Sequence, residues 1–344
     1  MTRWGGDPSR RDVLRTAGAL GAAGLATSLA GCQQVQNMVG MGSNRTNQVP
    51  EDADSALFVD VGAVMDDDGV KTIANAYLDE ISQSEYYEGP DDYEELKDRF
   101  EDEADLDPSE IQWQIGFSEY SDYGVTSEYG GSLFEANWAE DDVVDALEDN
   151  NDVSYDDDDH EGKTVYEPES DYGSYLGVIS GSKYVIGSQD AVEDAIDVAA
   201  AGGDKMDQEL RDAYGSTRNA PVRYVGGMVP NLSETTSVGG EELDVTPLSD
   251  VERVAGAVYK DGDKRGTENT MDVEDENDAE DVADVLDGYF ALVSEGEYVS
   301  DIAKDVADEI EVEQNGSEVV VRYETTVSDV EDAIEESFET PTAY

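Results

Sequence analysis

Cationic residues, cysteine and histidine are all scarce in this sequence. Its 344 residues include 20 Lys and Arg against 85 Asp and Glu, with one Cys and one His. So few cations cannot form the positive stripe that nucleic-acid phosphates require, and we therefore expect no nucleic-acid partner. A single Cys excludes an internal disulfide framework and a cysteine-based zinc site. A single His confines most histidine-dependent catalysis to one position.

The acidic residues are spread along the whole chain instead of being gathered in one tail. A compact chain with a net charge of -65 repels itself strongly. Concentrated salt relieves this repulsion, because the screening length falls to about 3 Å near 1 M. The composition resembles that of secreted proteins from halophilic archaea. The resemblance implies a protein that folds in molar salt.

The N-terminus carries the features of an export signal. Arg10 and Arg11 precede a low-polarity stretch from Ala17 to Ala30. Paired arginines before a modest apolar stretch are typical of the twin-arginine (Tat) export route, which carries folded proteins. The stretch is shorter than the about 20 residues that a membrane-spanning helix needs. We therefore predict a cleaved signal peptide over residues 1–31.

The only cysteine follows this stretch directly, in the sequence Leu-Ala-Gly-Cys that ends at Cys32. This motif resembles a lipobox, in which the thiol receives a lipid and the Cys becomes the new N-terminus after cleavage. Together with the paired arginines, it resembles the N-terminus of secreted Tat lipoproteins of halophilic archaea. The resemblance implies that Cys32 anchors the chain to the outer face of the cell membrane. It also implies that the Tat translocase is a partner during export.

The composition of the residues after Cys32 is typical of a linker. Residues 32–52 have no apolar periodicity and contain Gly, Ser, Asn and Pro. Such a composition is typical of flexible chain. We therefore predict a flexible tether over 32–52 that lifts a folded part off the membrane.

Beyond the tether, the same strand and helix patterns occur twice in the same order. The segment Asp142–Leu147 (DVVDAL) matches Asp281–Leu286 (DVADVL), and Val192–Asp197 (VEDAID) matches Val330–Glu335 (VEDAIE). A third match relates Ser109-Glu110-Ile111 to Ser249-Asp250-Val251, and the three offsets are 140, 139 and 138 positions. Acidic bias alone could produce one such match, but it does not explain the nearly constant spacing. The pattern indicates an internal duplication.

The predicted fold class is α+β. We expect two related copies of an antiparallel sheet, each covered on one face by amphipathic helices. The first copy spans 53–216 and includes extra helices between 70 and 104, and the second copy spans 217–344. In each copy a hairpin is predicted just before the last helix.

Familiar catalytic and cofactor motifs are absent. The sequence contains no nucleophile elbow, HExxH zinc motif, phosphate loop or dinucleotide fingerprint, so we expect no cofactor. Asp157, Asp159 and Glu161 alternate as at the start of a calcium loop, but Pro168 stands where that loop needs a bidentate Glu. The pattern favours a solvated turn around His160 over a metal site.

Two features point to surface chemistry. Acceptor triplets for N-glycosylation begin at Asn44, Asn231 and Asn315, which are candidate modification sites in an exported protein. Tyr is the overused aromatic residue, with 19 against 6 Phe and 3 Trp. Tyr clusters can form a surface for a glycan or protein partner, but half-buried tyrosines of a sheet explain them more simply.

From these features we expect a membrane-anchored extracytoplasmic lipoprotein. It would act as a non-catalytic interaction or envelope module that holds a surface protein or glycan. One alternative is an extracytoplasmic hydrolase with carboxylate catalysis, whose acids could not be picked out among 85. Another is a transporter-associated binding lipoprotein. A pocket with converging carboxylates of raised pKa would favour the enzyme.

Overall fold

The computed structural model describes most of the chain from Arg45 onward. The described residues are 45–83, 87, 89–119, 129–151, 153–170, 173–227, 234–238, 241–296 and 299–339.

The strands alternate buried and exposed positions, as the two-residue period of a sheet requires. In β2, for example, Trp113, Ile115 and Phe117 are buried on one face. The strands are β1 (Ser55–Val59), β2 (Ile111–Ser118), β3 (Gly130–Ala136), β4 (Tyr155–His160), β5 (Lys163–Pro168), β6 (Tyr175–Ser180), β7 (Lys183–Gly187), β8 (Val222–Gly227), β9 (Thr235–Val238), β10 (Glu241–Asp244), β11 (Val251–Asp261), β12 (Lys264–Val273), β13 (Glu311–Asn315) and β14 (Glu318–Thr326).

Most of the helices begin at an Asp or Ser N-cap, whose side chain accepts a hydrogen bond from the first turn. The helices are α1 (Val61–Met65), α2 (Asp68–Ser82), α3 (Tyr93–Ala104), α4 (Glu140–Asn151), α5 (Gln189–Ala199), α6 (Gln208–Ser216), α7 (Glu276–Glu295), α8 (Asp301–Glu309) and α9 (Val327–Glu339).

Twelve strands form one antiparallel sheet, in the order β13-β14-β12-β11-β8-β1-β2-β3-β7-β6-β5-β4. β1 and β8 pair at its centre. Outward from this pair, the first half runs β1, β2, β3, β7, β6, β5, β4, and the second half runs β8, β11, β12, β14, β13, so that five strands of each half correspond. The α+β class with an antiparallel sheet is confirmed. The duplication stays a prediction, and the shared strand order agrees with it.

The sheet has two faces, which we name by their residues. The front face carries Phe58, Ile115 and Leu133, which are register partners across β1, β2 and β3. The back face carries the alternate positions, such as Leu57 and Phe134. Side chains that are adjacent in a strand point to opposite faces, so every later strand can be placed by its register.

Helices cover both faces of the first half. On the front, α5 and α6 pack Ile196 and Leu210 into one buried cluster with Leu133. On the back, α3 and α4 pack Phe100 and Val143 against Tyr184 of β7. The strands of this half carry apolar side chains on both faces, and both must be buried. The front of β8 and β11 is also covered, by α6. The prediction of helices on one face therefore holds only for β12, β13 and β14.

In the second half, α7 and α8 lie on the back, whereas α6 covers the front of β8 and β11. There α7 buries Val282 against Val254 of β11 and Val319 of β14, and α8 packs along α7. The last helix, α9, packs along α2, and the rings of Tyr77 and Phe338 meet at 6.1 Å between the two.

The helix α2 is joined to the second half by a buried ion pair. Its N-cap residue, Asp67, is 1% exposed and accepts hydrogen bonds from Gly69 N at 2.8 Å and Arg265 Nη2 at 2.5 Å. Lys260 Nζ lies 3.3 Å from the same oxygen. The extra helices predicted after β1 are therefore not peripheral additions, because α2 connects to β11 and β12.

Part of the predicted flexible tether is packed. Residues Arg45–Gln48 form a 3-10 turn, and Val49 is fully buried under α5 and α6. The backbone N–H of Met206 donates to Val49 O at 2.9 Å. The prediction of a flexible tether over 32–52 is therefore wrong from Arg45 onward. Its polar side chains gave no periodic signal because they bind specific partners instead of forming an apolar face.

Candidate interaction surface

The outer strands of the second half present a polar front face. One register row crosses the sheet from Phe58 through Arg223, Ala257 and Glu268 to Arg322. The row passes from an aromatic side chain at the centre to charged side chains at the rim. We call the front of β12, β13 and β14 the open face.

Ion pairs hold the side chains of the open face in place. Arg322 Nε lies 2.8 Å from Glu268 Oε2, and Arg322 also pairs with Glu313. Lys264 Nζ lies 3.0 Å from Glu324 Oε1. The side chains of Arg322, Glu268 and Glu313 are between 24% and 55% exposed. The open face is therefore a pre-arranged surface of alternating charge, accessible to solvent.

The equivalent face of the first half differs because an apolar helix lies on it. Val192 and Ile196 of α5 are fully buried there. Gly177 of β6 permits this close approach, because a Cβ at that position would lie 2.9 Å from Ile196 Cδ1. In the second half, α9 carries the matching Val330 and Ile334, but it packs on α2 and leaves both only half-buried.

A second constellation fixes the start of the folded part. We call Arg45–Val49 the N-terminal clamp. The Arg45 guanidinium stacks 3.9 Å over the Trp113 ring, and Trp113 Nε1 donates to Glu135 Oε2 at 2.8 Å. Lys183 Nζ donates to Gln48 Oε1 at 2.7 Å. The clamp therefore fixes where the chain leaves the domain.

Burial affects both cations of the clamp. Desolvation lowers the pKa of the Arg45 guanidinium, and the charge of Glu135 opposes this effect. Desolvation likewise lowers the pKa of Lys183, again opposed by Glu135. A cation held in such a site must be well paired or stacked, because an isolated buried charge is costly.

A third constellation groups acidic residues on α5 with the only histidine. His160 Nε2 lies 2.8 Å from Asp197 Oδ1, and His160 Nδ1 lies 3.9 Å from Glu193 Oε2. The Tyr129 hydroxyl donates to Asp194 Oδ2 at 3.1 Å. These contacts tie the edge strand β4 and the start of β3 to α5.

Two pKa values are perturbed in this group. Burial raises the pKa of the Asp194 carboxyl, and the neighbouring carboxylates of Asp52, Asp197 and Asp190 raise it further. Burial and the charge of Asp194 raise the pKa of the Tyr129 hydroxyl. A proton is therefore held more readily at Asp194 than at an ordinary aspartate.

A pocket of about 330 Å³ opens on the back of the first half, between α3 and α4. Its acidic lining comes from Asp105, Asp142, Asp145, Glu148 and Asp149. This pocket and Asp194 lie on opposite faces of the sheet. The pocket's carboxylates and the perturbed carboxylate therefore do not form one site.

The acidic triplet considered as a calcium loop lies at a sheet edge. Asp157 and Asp159 are exposed on β4, and Glu161 lies in the turn to β5 with a φ of 50°. The β4–β5 pairing holds Asp157 opposite Tyr166 and Asp159 opposite Thr164. Within the described ranges, no group of three or more Cys, His, Asp or Glu residues is arranged to hold a metal ion.

Several predicted site residues lie outside the described residues: Arg10, Arg11, Cys32, Asn44 and Asn231. Asn315 is described, and it lies exposed at the end of β13. Among the helices of the described ranges, none combines the length and hydrophobicity of a membrane span.

Sequence reasoning missed both the open face and the clamp. The open face has only a partial signal, because Arg322 and Glu324 alternate with Val321 and Tyr323, whereas Val319, Val320 and Val321 form one apolar run. The clamp has no such signal, because its partner Trp113 is distant in the sequence.

Comparison with known proteins does not place the chain in a family. No family model matches the chain, and no curated protein matches it. The chain is similar to three solved structures of TP0453. In crystal form III the TM-score is 0.45 at 8% identity, with 85% of this chain and 98% of that chain covered. Form IV gives 0.44 at 10%, with 85% and 96% covered, and form I gives 0.41 at 9%, with 86% and 97% covered. A likeness this distant carries no argument about function.

Proposed function

We propose that this protein is a membrane-anchored, extracytoplasmic lipoprotein that acts as a non-catalytic interaction or envelope module. Two sequence features support this location: the paired Arg10 and Arg11, and the lipobox in which the only cysteine, Cys32, stands. During export its partner would be the Tat translocase, and afterwards the membrane would hold it through the lipid on Cys32.

The open face carries the proposal of an interaction module. The two halves differ at this place, because α5 buries the front of the first half, whereas the front of β12, β13 and β14 remains accessible. The accessible face is organised by ion pairs such as Arg322–Glu268. A fixed array of charges favours a specific orientation of a partner whose charges pair with it at contact distance, a range that molar salt does not screen.

A carboxylate-dependent hydrolase is the second candidate, favoured by the acidic pocket between α3 and α4. Acid catalysis would also require a carboxyl of raised pKa within reach of a bound substrate. Asp194, whose pKa is raised, lies across the sheet from that pocket. Because the pocket and the carboxyl of raised pKa are on opposite faces of the sheet, we rank the hydrolase below the interaction module. No observation favours the third candidate, a transporter-associated binding lipoprotein.

Membrane fractionation tests the proposed location and export route. We expect Cys32→Ser to move the protein from the membrane fraction to the soluble extracellular fraction, because it removes the lipid acceptor. Replacing both Arg10 and Arg11 by Lys should retain precursor in the cytoplasm. If Cys32→Ser and the parent partition alike, the lipid anchor is wrong, and if the Lys variant is exported normally, the Tat route is wrong.

Partner capture in molar salt tests the module. The parent, Arg322→Gln and the matched control Arg99→Gln would be compared as baits on intact membranes. Arg322 pairs on the open face, whereas Arg99 pairs with Glu103 along α3. We expect Arg322→Gln to lose a protein or glycan that both other baits retain. Equal capture by all three baits would exclude the open face as the binding surface.

A further inference from the structure

We infer that Asn315 carries an N-linked glycan, and that this glycan shields the sheet edge formed by β13. The inference rests on the proposed function in one respect, because such a glycan is attached outside the cytoplasm. Its evidence is the position of the acceptor triplet in the fold and the unequal protection of the two edges of the sheet.

The acceptor triplet lies at the tip of a hairpin. Asn315 is the last residue of β13, and Gly316 and Ser317 form the turn to β14. All three are exposed, and Gly316 has a φ of 67°, which a glycine adopts without strain. In the part of the chain that the structure describes, the Asn315 side chain has no hydrogen-bond partner. An enzyme can therefore reach its amide without unfolding the strand.

The chemistry requires one donor, an oligosaccharide linked through its first sugar to an isoprenoid phosphate. The Asn315 Nδ2 atom attacks the C1 carbon of that sugar. The N–C1 bond forms, and the bond from C1 to the phosphate oxygen breaks. The phosphate leaves with the bonding electrons, and a base of the transferring enzyme takes the amide proton. No oxidation or reduction occurs.

The two edges of the sheet are protected differently. β4 carries four successive aspartates, Asp156–Asp159, and His160 fastens it to α5. At the other edge, β13 has only Glu311 and Glu313 besides uncharged residues. Its outer backbone groups are a template for pairing with another strand. This edge is therefore the less protected of the two by charge.

Salt weakens the protection that charge gives to either edge. Charge repulsion protects an edge only over the screening length, which is about 3 Å at 1 M salt. The volume of a glycan is not screened by ions. A glycan at Asn315 would stand at the end of β13 and obstruct the approach of a second edge strand in brine, where the two glutamates no longer suffice.

The test uses the full chain expressed in a halophilic archaeal host, extracted from membranes with detergent in molar salt. Asn315→Gln and Ser317→Ala both destroy the acceptor triplet, whereas the matched control Ser317→Thr preserves it. Mass spectrometry of the peptide that contains residue 315 should show an added glycan in the parent and in Ser317→Thr, and none in the other two variants.

Self-association provides the second readout. In sedimentation velocity, Asn315→Gln and Ser317→Ala should associate at about tenfold lower protein concentration than the parent and Ser317→Thr, as expected for a modest gain in contact energy. Amides of β13 should become more protected from hydrogen exchange in those associated forms.

The outcomes separate the inference from the proposed function. A parent that fractionates as a membrane lipoprotein, yet has an unmodified Asn315, overturns the inference alone. A parent retained in the cytoplasm overturns both. If the parent carries the glycan and all four proteins associate equally, the glycan does not shield the edge, and that part of the inference is wrong.

Discussion

The two halves of the sheet share the order of five corresponding strands and one helix sequence motif, yet the helix that carries this motif is buried differently in each. In the first half, Val192 and Ile196 of α5 are sealed against the front of the sheet. In the second half, Val330 and Ile334 of α9 are half-buried beside α2. An amphipathic helix packs on an apolar surface, and the open face offers ion pairs instead. The surface a helix meets therefore decides its position, and its own pattern does not suffice.

The largest expected effect is the unfolding of both halves of the sheet when salt is removed. At about 0.01 M salt the screening length grows to about 30 Å, so repulsion among the excess acids acts across the molecule. We expect this repulsion to exceed a typical stability of about 5–15 kcal/mol. Circular dichroism in molar KCl and in low salt would show a native and an unfolded spectrum. A native spectrum at low salt without divalent ions would contradict this prediction.

The order of unfolding sharpens the same prediction. As salt is lowered, β12 and β14 should lose hydrogen-exchange protection before β3 and β7, because only the latter pair is covered on both faces. Simultaneous loss of protection would mean that the halves form a single cooperative unit.

The next effect concerns the buried link between the halves. Asp67→Ala leaves Arg265 buried without its partner and removes the N-cap of α2. We expect a loss of about 3–5 kcal/mol in the free energy of unfolding. The matched control is Asp66→Ala at the exposed neighbour, which should change it by less than about 0.5 kcal/mol. Similar chemical denaturation curves for the two variants would show that the link is not stabilising.

A matched pair of core substitutions measures the difference between the helices directly. Ile196→Ala should cost about 2–5 kcal/mol, because a fully buried side chain leaves a cavity. Ile334→Ala, at the matching position of half-buried α9, should cost about half as much or less. Denaturant unfolding in molar salt would give both values. Equal losses would mean that α9 is buried as deeply as α5 in solution.

The smallest effect is electrostatic and depends on pH. The folded-state pKa of Asp194 is raised above its ordinary value, so ionising this carboxyl opposes folding. The penalty is absent below the ordinary aspartate pKa of about 3.9 and develops as pH rises through the raised value. At neutral pH, Asp194→Asn should therefore stabilise the fold slightly, by less than about 1 kcal/mol.

Thermal melts at neutral pH and near pH 3 would check this prediction. The matching exposed residue of α9, Asp332, provides the control, and Asp332→Asn should give no such pH-dependent gain. A gain for Asp194→Asn that is just as large at low pH would show that the cause is not its ionisation.

Local patterns in the sequence predicted local structure well. The extra helices predicted between 70 and 104 are α2 and α3, and the hairpin predicted before the last helix of the first copy is β6–β7, which turns at Gly181 and Ser182. Each depends on residues adjacent in the chain: helical apolar spacing, an N-cap, or a pair of small turn residues. The strand order of the second half also agrees with the predicted repeat.

What the sequence could not predict depends on residues far apart. The same VEDAI motif occurs in α5 and α9, so nothing within it distinguishes a buried helix from a half-buried one. Arg45 lies in a polar segment, and only its stacking on Trp113 reveals that it is fixed. Asp194 is one acid among 85, and its pKa is raised by burial and by nearby carboxylates, against the hydrogen bond from Tyr129, which lowers it.

The clamp also determines how the protein bears mechanical load. Pulling through a lipid at Cys32 would first strain the stacking of Arg45 on Trp113. The next element along the chain is β1, which lies at the centre of the sheet and is hydrogen-bonded to β2 and β8. An edge strand can be peeled away one bond at a time, whereas a central strand must break both ladders. Under the proposed anchoring at Cys32, the load would therefore reach a strand that is held by two ladders, not an edge strand.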